Sequence, residues 1–302
     1  MLQFRAKSIK IKVVFDYFDL ETEFLITQRE IIENIMRCPV CSASLTVSED
    51  GKSAFCTGAR KHCFDFSKDG YLSFPGNSGG DSKSAVDARR SFLQKGYYAP
   101  AAEAVANAVA KYLDSDSSLI DAGCGEGYYT SMLSERVGMT VGFDLSKFAC
   151  GAAAKLARRE GKANLLYSTA SVFELPVKDC SVDAVVNIFA PCAEEEYTRI
   201  LKSGGYLFVV GAGRDHLMGL KRAIYDDVYE NGERADLPLQ LEHIEKIVSK
   251  HEIEVVGQDD IEALFSMTPY YWRTSEQDHE RLTRVERLQT EIEFEINIYK
   301  KK

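Results

Sequence analysis

The chain has 302 residues, 45% of them hydrophobic and 27% charged, which is enough for one large domain plus a small one, or two mid-sized ones, around a packed core. No run approaches about eighteen uninterrupted apolar residues, and the N-terminus lacks a secretory pattern, so a membrane span is excluded and a cytoplasmic location expected. The formal net charge of -9 argues against a surface coated in phosphate-binding groups but leaves RNA open, because affinity depends on where the positive charges sit.

Residues 1–35 read as an N-terminal extension to which no function is assigned, with a strand-like stretch from Ile9 to Leu20, a short helix from Gln28 to Met36, and the character of a dispensable tail. Four of the eight cysteines then fall close together, at Cys38, Cys41, Cys56 and Cys63. In a reducing compartment such a cluster reads as a metal site, whereas Cys124, Cys150, Cys180 and Cys192 read as small buried hydrophobes. Cys38-Pro39-Val40-Cys41 is a zinc half-site on a tight knuckle, and residues 36–74 have the size and turn content of a zinc ribbon, which has little core without its metal. Cys56 opens the second half-site, and either His62 or Cys63 supplies the fourth ligand.

Residues 75–113 comprise a linker (Pro75 to Lys83) and two helices, Asp87 to Gly96 and Ala101 to Leu113. From residue 114 onward strands and helices alternate. Strands are expected at Leu119–Asp121, Thr140–Phe143, Asn164–Ser168, Asp183–Phe189 and Gly205–Val210, with helices at Tyr128–Val137, Lys147–Glu160 and Glu194–Lys202. Leu217–Tyr229 and Leu241–His251 are expected to be helical, followed by a strand at Ile253–Val256, a helical segment reaching Trp272, and a final strand over Thr290–Lys300. The sum is a mainly parallel sheet with an antiparallel edge. Basic pairs such as Arg89-Arg90, Arg158-Arg159 and Lys221-Arg222, and the triplet Arg60-Lys61-His62, read as solvated surface.

The chemistry concentrates in Asp121-Ala-Gly123-Cys-Gly125-Glu126-Gly127, where a strand turns into a helix with its backbone bare enough to meet a nucleotide-like ligand. The loop is one residue shorter than the dinucleotide pattern. Asp121 and Glu126 would repel a pyrophosphate but suit a ligand carrying an ammonium and a sulfonium, which favours S-adenosylmethionine over NAD. Asp144, ending the second strand, suits ribose hydroxyls or a helix cap. Asn187 to Cys192 follows the fourth strand at the carboxyl edge, where Phe189 either stacks on a base or belongs to the core. His216 leaves the fifth strand at the same edge. Asn187, Cys192 and His216 are the catalytic candidates; the base itself is unassigned.

Several segments together resemble the RlmA-type large-subunit ribosomal RNA (guanine-N1) methyltransferases: Cys38-Pro-Val-Cys41, His62 to Tyr71, Ala88 to Leu93 with Gly96-Tyr-Tyr98, Asp121 to Thr130, Ala190-Pro-Cys192, His216-Leu-Met218 and Met267 to Arg273. The resemblance runs from Cys38 to near the C-terminus. It implies a class I, Rossmann-like methyltransferase sheet over residues 114–302 behind an N-terminal zinc ribbon that contacts RNA, with zinc and S-adenosylmethionine as cofactors. It also implies a large-subunit ribosomal RNA stem-loop as substrate, homodimerisation, and kinship with members that affect macrolide resistance. By position it makes Cys38, Cys41, Cys56 and His62 the zinc ligands and Tyr98, Gly125, Glu126 and His216 cofactor contacts, beside Asp121, Gly123, Gly127 and Asp144 from the loop reading. The spacing from Cys56 to His62 is wider than in the family, which keeps Cys63 in play. A small-molecule methyltransferase and a non-catalytic zinc-dependent RNA binder are the competing readings.

Overall fold

In a computed structural model, which describes residues 27–76, 79–232 and 241–302, the chain opens with a helix over residues 27–35 (α1). Ile31, Ile32 and Ile35 on this helix and Met36 just after it are buried. This part of the arm is therefore core and not a dispensable tail, while the strand expected from Ile9 to Leu20 lies outside the described residues. Three short strands follow, β1 (Leu45–Val47), β2 (Ser53–Cys56) and β3 (Cys63–Asp65), paired antiparallel in that order as a ribbon requires.

Backbone hydrogen bonds fasten the ribbon to the rest of the chain on two flanks. Leu72 donates its N–H to the Tyr167 carbonyl at 2.9 Å, and its own carbonyl accepts from the Ser168 hydroxyl at 2.8 Å. On the other flank the Arg37 N–H donates to the Pro176 carbonyl at 2.9 Å. Phe64, Leu72 and Phe74 share one apolar cluster with Leu166, Val177 and Tyr197. A module too small to build its own core thus borrows one from the sheet.

Ser82 caps α2 (Lys83–Leu93) by accepting from the Ala85 N–H, so this helix starts before Asp87, at the end of what composition reads as linker. α3 (Ala99–Ala110) follows with a proline in its first turn. Strands β4 (Ser118–Ala122), β5 (Met139–Asp144), β6 (Leu165–Thr169), β7 (Val182–Ile188) and β8 (Leu201–Ala212) then alternate with α4 (Tyr128–Leu133), α5 (Lys147–Arg159) and α6 (Glu194–Ile200). After α7 (Met218–Ile224), strands β9 (Leu241–Val256) and β10 (Arg287–Lys301) enclose α8 (Gln258–Ser266) and α9 (Glu276–Leu282).

The sheet order is β6-β5-β4-β7-β8-β10-β9; the first five strands run parallel, and β10 is antiparallel to both its neighbours. This is the doubly wound sheet with an antiparallel edge that the alternation implies. Successive residues sort to opposite faces: Ile120, Val185 and Val209 pack toward the ribbon, whereas Leu119, Val186 and Val210 pack in the cluster holding α3 and α8. No helix among the described residues is long and apolar enough to cross a membrane.

Leu241 to His251 is strand, contrary to the helical expectation. Leu241, Ile244 and Ile247 fall at helical spacing, but β10 pairs with the whole segment from Val256 back to Leu241. β9 is the edge strand, its exposed positions mix charged residues with Ile244, Val248 and Val256, and pairing overrides the local pattern. The helix expected over Leu217–Tyr229 ends at Ile224, where Tyr225 turns to extended backbone. Among the scattered cysteines Cys124 and Cys150 are buried as expected, but Cys180 is exposed.

Candidate active site

At the ribbon's tip, Cys38 and Cys41 lie on the knuckle before β1, Cys56 ends β2, and His62 immediately precedes β3. One ligand atom from each of these four lies within 4.8 Å of all the others. The Cys41 and Cys56 sulfurs are 3.2 Å apart, and His62 Nδ1 is 3.4 Å from the Cys38 sulfur. The Gly58 N–H donates to the Cys56 sulfur at 3.2 Å, the kind of outer contact that orients a thiolate ligand. Cys63 is exposed and turned toward Asp65, because successive residues of an extended segment point to opposite sides. Three thiols and one imidazole are the donor set of a closed tetrahedral zinc site, so these residues fit that metal.

A cavity of about 690 Å³ opens where β4, β5, β7 and β8 end, the crevice where ligands bind in open parallel sheets. Its wall includes Tyr98, Gly123, Gly125, Glu126, Asp144, Phe189 and His216. At Gly125, with φ of 54°, a Cβ would meet nothing nearer than Arg89 Nε at 4.0 Å, so bare backbone faces the cavity. Gly127 is different: a Cβ there would sit 2.4 Å from the Tyr167 hydroxyl, and the residue does not line the cavity. It serves the close packing of α4, and its expected cofactor contact is corrected accordingly.

The acids divide in the same way. Asp144 accepts from the Gly125 N–H at 3.0 Å with one oxygen and from the Ser146 N–H at 2.7 Å with the other, so its carboxylate ties the glycine loop to the next turn. The cap of α5 is Ser146. Burial raises the pKa of Asp144 and, in spite of Arg89, that of Glu126. Glu126 accepts from Arg89 Nε at 2.8 Å, and the same guanidinium donates to Asp81. Asp121, expected to face the ligand, instead lies outside the cavity wall, where one oxygen accepts from the Thr130 hydroxyl at 2.6 Å and the other has no partner. Burial, only partly opposed by Thr130, pushes it up to about 7.

His216 lines the cavity with its ring stacked against Phe189 at 5.6 Å and edge-on to Tyr98 at 6.1 Å. Its Nδ1 accepts the Glu293 backbone N–H at 3.1 Å. Burial lowers its pKa to about 4, so the ring is neutral at pH 7 and carries its one proton on Nε2. It is a hydrogen-bond donor to the cavity, not a proton acceptor, which corrects its candidacy as a base. Tyr98 is buried between Phe92, Phe294 and His216, and burial raises its hydroxyl pKa.

The other two catalytic candidates do not line the cavity. Asn187 is fully buried, donating to the Pro191 carbonyl and the Tyr197 hydroxyl at 3.0 Å each, and so braces the turn after β7. Cys192 packs beside the ribbon-side core. Phe189 is half exposed at the cavity wall and belongs to the site more than to the core.

Three wall residues escape the sequence reading. Arg89 reads as one of a solvated basic pair, yet its side chain is only 28% exposed and is held over the loop. Phe173 and Trp272, 62% and 84% exposed, line the same cavity. For Trp272 the one available signal is its place in the Met267 to Arg273 segment; neither periodicity nor composition marks the other two.

A methyltransferase-domain family model matches residues 120–209, the stretch from β4 into β8. A 23S rRNA (guanine(748)-N1)-methyltransferase of Streptomyces fradiae is 31% identical over 65% of this chain and 70% of its own length. YxjB of Bacillus subtilis, provisionally assigned as a 23S rRNA (guanine-N1)-methyltransferase, is 29% identical over 81% of this chain and 89% of its own. A Micromonospora griseorubida protein with the same provisional assignment is 28% identical over 82% and 89%.

Proposed function

The chain belongs to the family of 23S rRNA (guanine-N1) methyltransferases, and we propose that it methylates N1 of a guanine in a stem-loop of 23S ribosomal RNA, using S-adenosylmethionine. One observation carries this reading: the glycine loop, the anchored Asp144 and a set of exposed aromatic rings share a single cavity at the carboxyl end of the sheet. When bound, S-adenosylmethionine supplies a methyl group made electrophilic by its sulfonium. Gly123, Gly125 and Asp144 would hold its nucleoside, and Tyr98, Glu126 and His216 its amino-acid end. The loop fits such a ligand because its backbone is open at Gly125 and its local charge is negative.

Guanine N1 is engaged in pairing within a duplex, so the acceptor must be unpaired or flipped out. Phe189 at the wall, with Phe173 and Trp272, offers faces for stacking such a base, worth about 1–3 kcal/mol per base. His216 donates through Nε2, suiting an acceptor oxygen of the ligands. The residues' main task is alignment, which alone accounts for several kcal/mol of a transfer barrier of about this kind. Among the described residues the lining carboxylates are already engaged, Asp81 and Glu126 with Arg89 and Asp144 with backbone amides. We assign the N1 proton to water at the cavity mouth.

The same reading places zinc at Cys38, Cys41, Cys56 and His62, and makes the ribbon a structural element that also meets RNA. Primer extension on 23S ribosomal RNA incubated with the protein and S-adenosylmethionine tests it. A new strong stop at one guanine is expected; methyl transfer to no RNA at all would sink it.

A further inference from the structure

We propose that Arg89 binds the amino-acid carboxylate of S-adenosylmethionine, an inference that rests on the methyltransferase reading above. Among the described residues lining the cavity, Arg89 is the only lysine or arginine, against three carboxylates from Asp81, Glu126 and Asp144. The ligand's sulfonium and ammonium suit such a cavity. Its carboxylate does not, and a carboxylate taken from water into a wall of like charges needs a charged donor of its own.

The guanidinium is placed to serve. It extends from α2 over the loop, with Nε 4.0 Å from where a Gly125 Cβ would lie. Nε donates to Glu126 at 2.8 Å and Nη2 to Asp81, so the plane of the guanidinium is held from two sides. Nη1 makes no hydrogen bond among the described residues, leaving donors free in a fork whose geometry matches a carboxylate. Glu126 and Asp81 are then what orients the arginine, and the arginine is what makes an acidic cavity accept an amino acid whole. Arg89 is thus a recognition group for one end of the methyl donor.

Calorimetry on the full-length, zinc-loaded chain tests this with two ligands: S-adenosylhomocysteine, and its decarboxylated analogue, which lacks that one group. Because Arg89→Gln strands the buried Glu126, the comparison is made on Arg89→Gln with Glu126→Gln against Glu126→Gln alone, with thermal melts confirming that both are folded. Removing Arg89 is expected to weaken S-adenosylhomocysteine about ten- to hundredfold, as for loss of a hydrogen bond to a charged group, and to leave the decarboxylated analogue within about twofold. Equal losses for both ligands would make Arg89 a brace for the loop only, and no loss for either would remove it from the site; either result overturns the proposal. If the unmutated chain binds neither ligand, the methyltransferase reading fails along with it, a result distinct from failure at Arg89.

Discussion

The Nδ1 atom of His216 accepts the backbone N–H of Glu293 at 3.1 Å, and this one bond decides what the imidazole can do. A neutral histidine has one donor and one acceptor nitrogen, so the nitrogen left to the cavity is the donor.

His216→Gln retains a donor but cannot titrate. Turnover is expected to fall by about tenfold, the scale of one hydrogen bond, with the shape of the rate-versus-pH curve preserved. A general base at this position would show a drop of about a hundredfold or more and a flattened acid limb. Steady-state rates across pH separate the two.

Stability should carry two opposed pH dependences in the ligand-free protein. His216 sits at about 4 against an ordinary 6.5, so the unfolded chain takes up that proton first. Its contribution is present above about pH 6.5 and is lost as pH falls toward 4, by about 3 kcal/mol. Asp121 sits at about 7 against 3.8, so the folded chain keeps that proton while the unfolded chain releases it. Its contribution declines as pH rises from about 4 to 7, by about 4 kcal/mol. Urea midpoints should show Asp121→Asn gaining on the parent as pH rises and His216→Gln gaining as pH falls. Parallel curves for all three would refute both assignments.

Zinc removal should reach the cofactor site. Leu72 and Phe74 of the ribbon side hold the edge of β6 through Tyr167, Ser168 and Thr169, and the next residue, Ala170, lines the cavity with its N–H on the Asp144 carbonyl at 3.1 Å. Chelation is expected to weaken S-adenosylhomocysteine binding several-fold and added zinc to restore it. His62→Ala should lower the metal content while Cys63→Ser leaves it unchanged; an unaltered affinity after chelation would uncouple ribbon from cavity.

Trp272 is 84% exposed and contributes little to the core. Trp272→Ala should therefore leave the melting temperature in place and S-adenosylhomocysteine affinity within about twofold, while raising KM for RNA about tenfold, the scale of one lost base stack. An unchanged KM would exclude the ring from RNA contact.

Much of the fold is legible because it is written in short-range pattern. β4 to β8 and β10 alternate or run apolar as strands do, and Cys38 to Cys41 needs no partner from afar to be recognised as a half-site. β9 is not legible in this way. Its outer face meets water and its identity comes from β10, some forty residues later, so a local reading finds a helix over Leu241 to His251. Asp121 and Gly127 fail for a related reason: both belong to the glycine loop by spacing, yet one is turned against Thr130 and the other against Tyr167.

The sequence by itself determined the methyl-donor loop and a cluster of soft donors that fit a metal, since a glycine-rich turn and closely spaced thiols are properties of adjacent residues. The tertiary structure decided where the members of those groups lie. It selected His62 over Cys63 by strand alternation, withdrew Asn187 and Cys192 into supporting roles, set the tautomer of His216 through Glu293, and brought Arg89 from α2 across to Glu126. Each of these outcomes depends on a contact between residues distant in the chain, and direction and burial, which govern hydrogen bonding and charge, exist only once such contacts have formed.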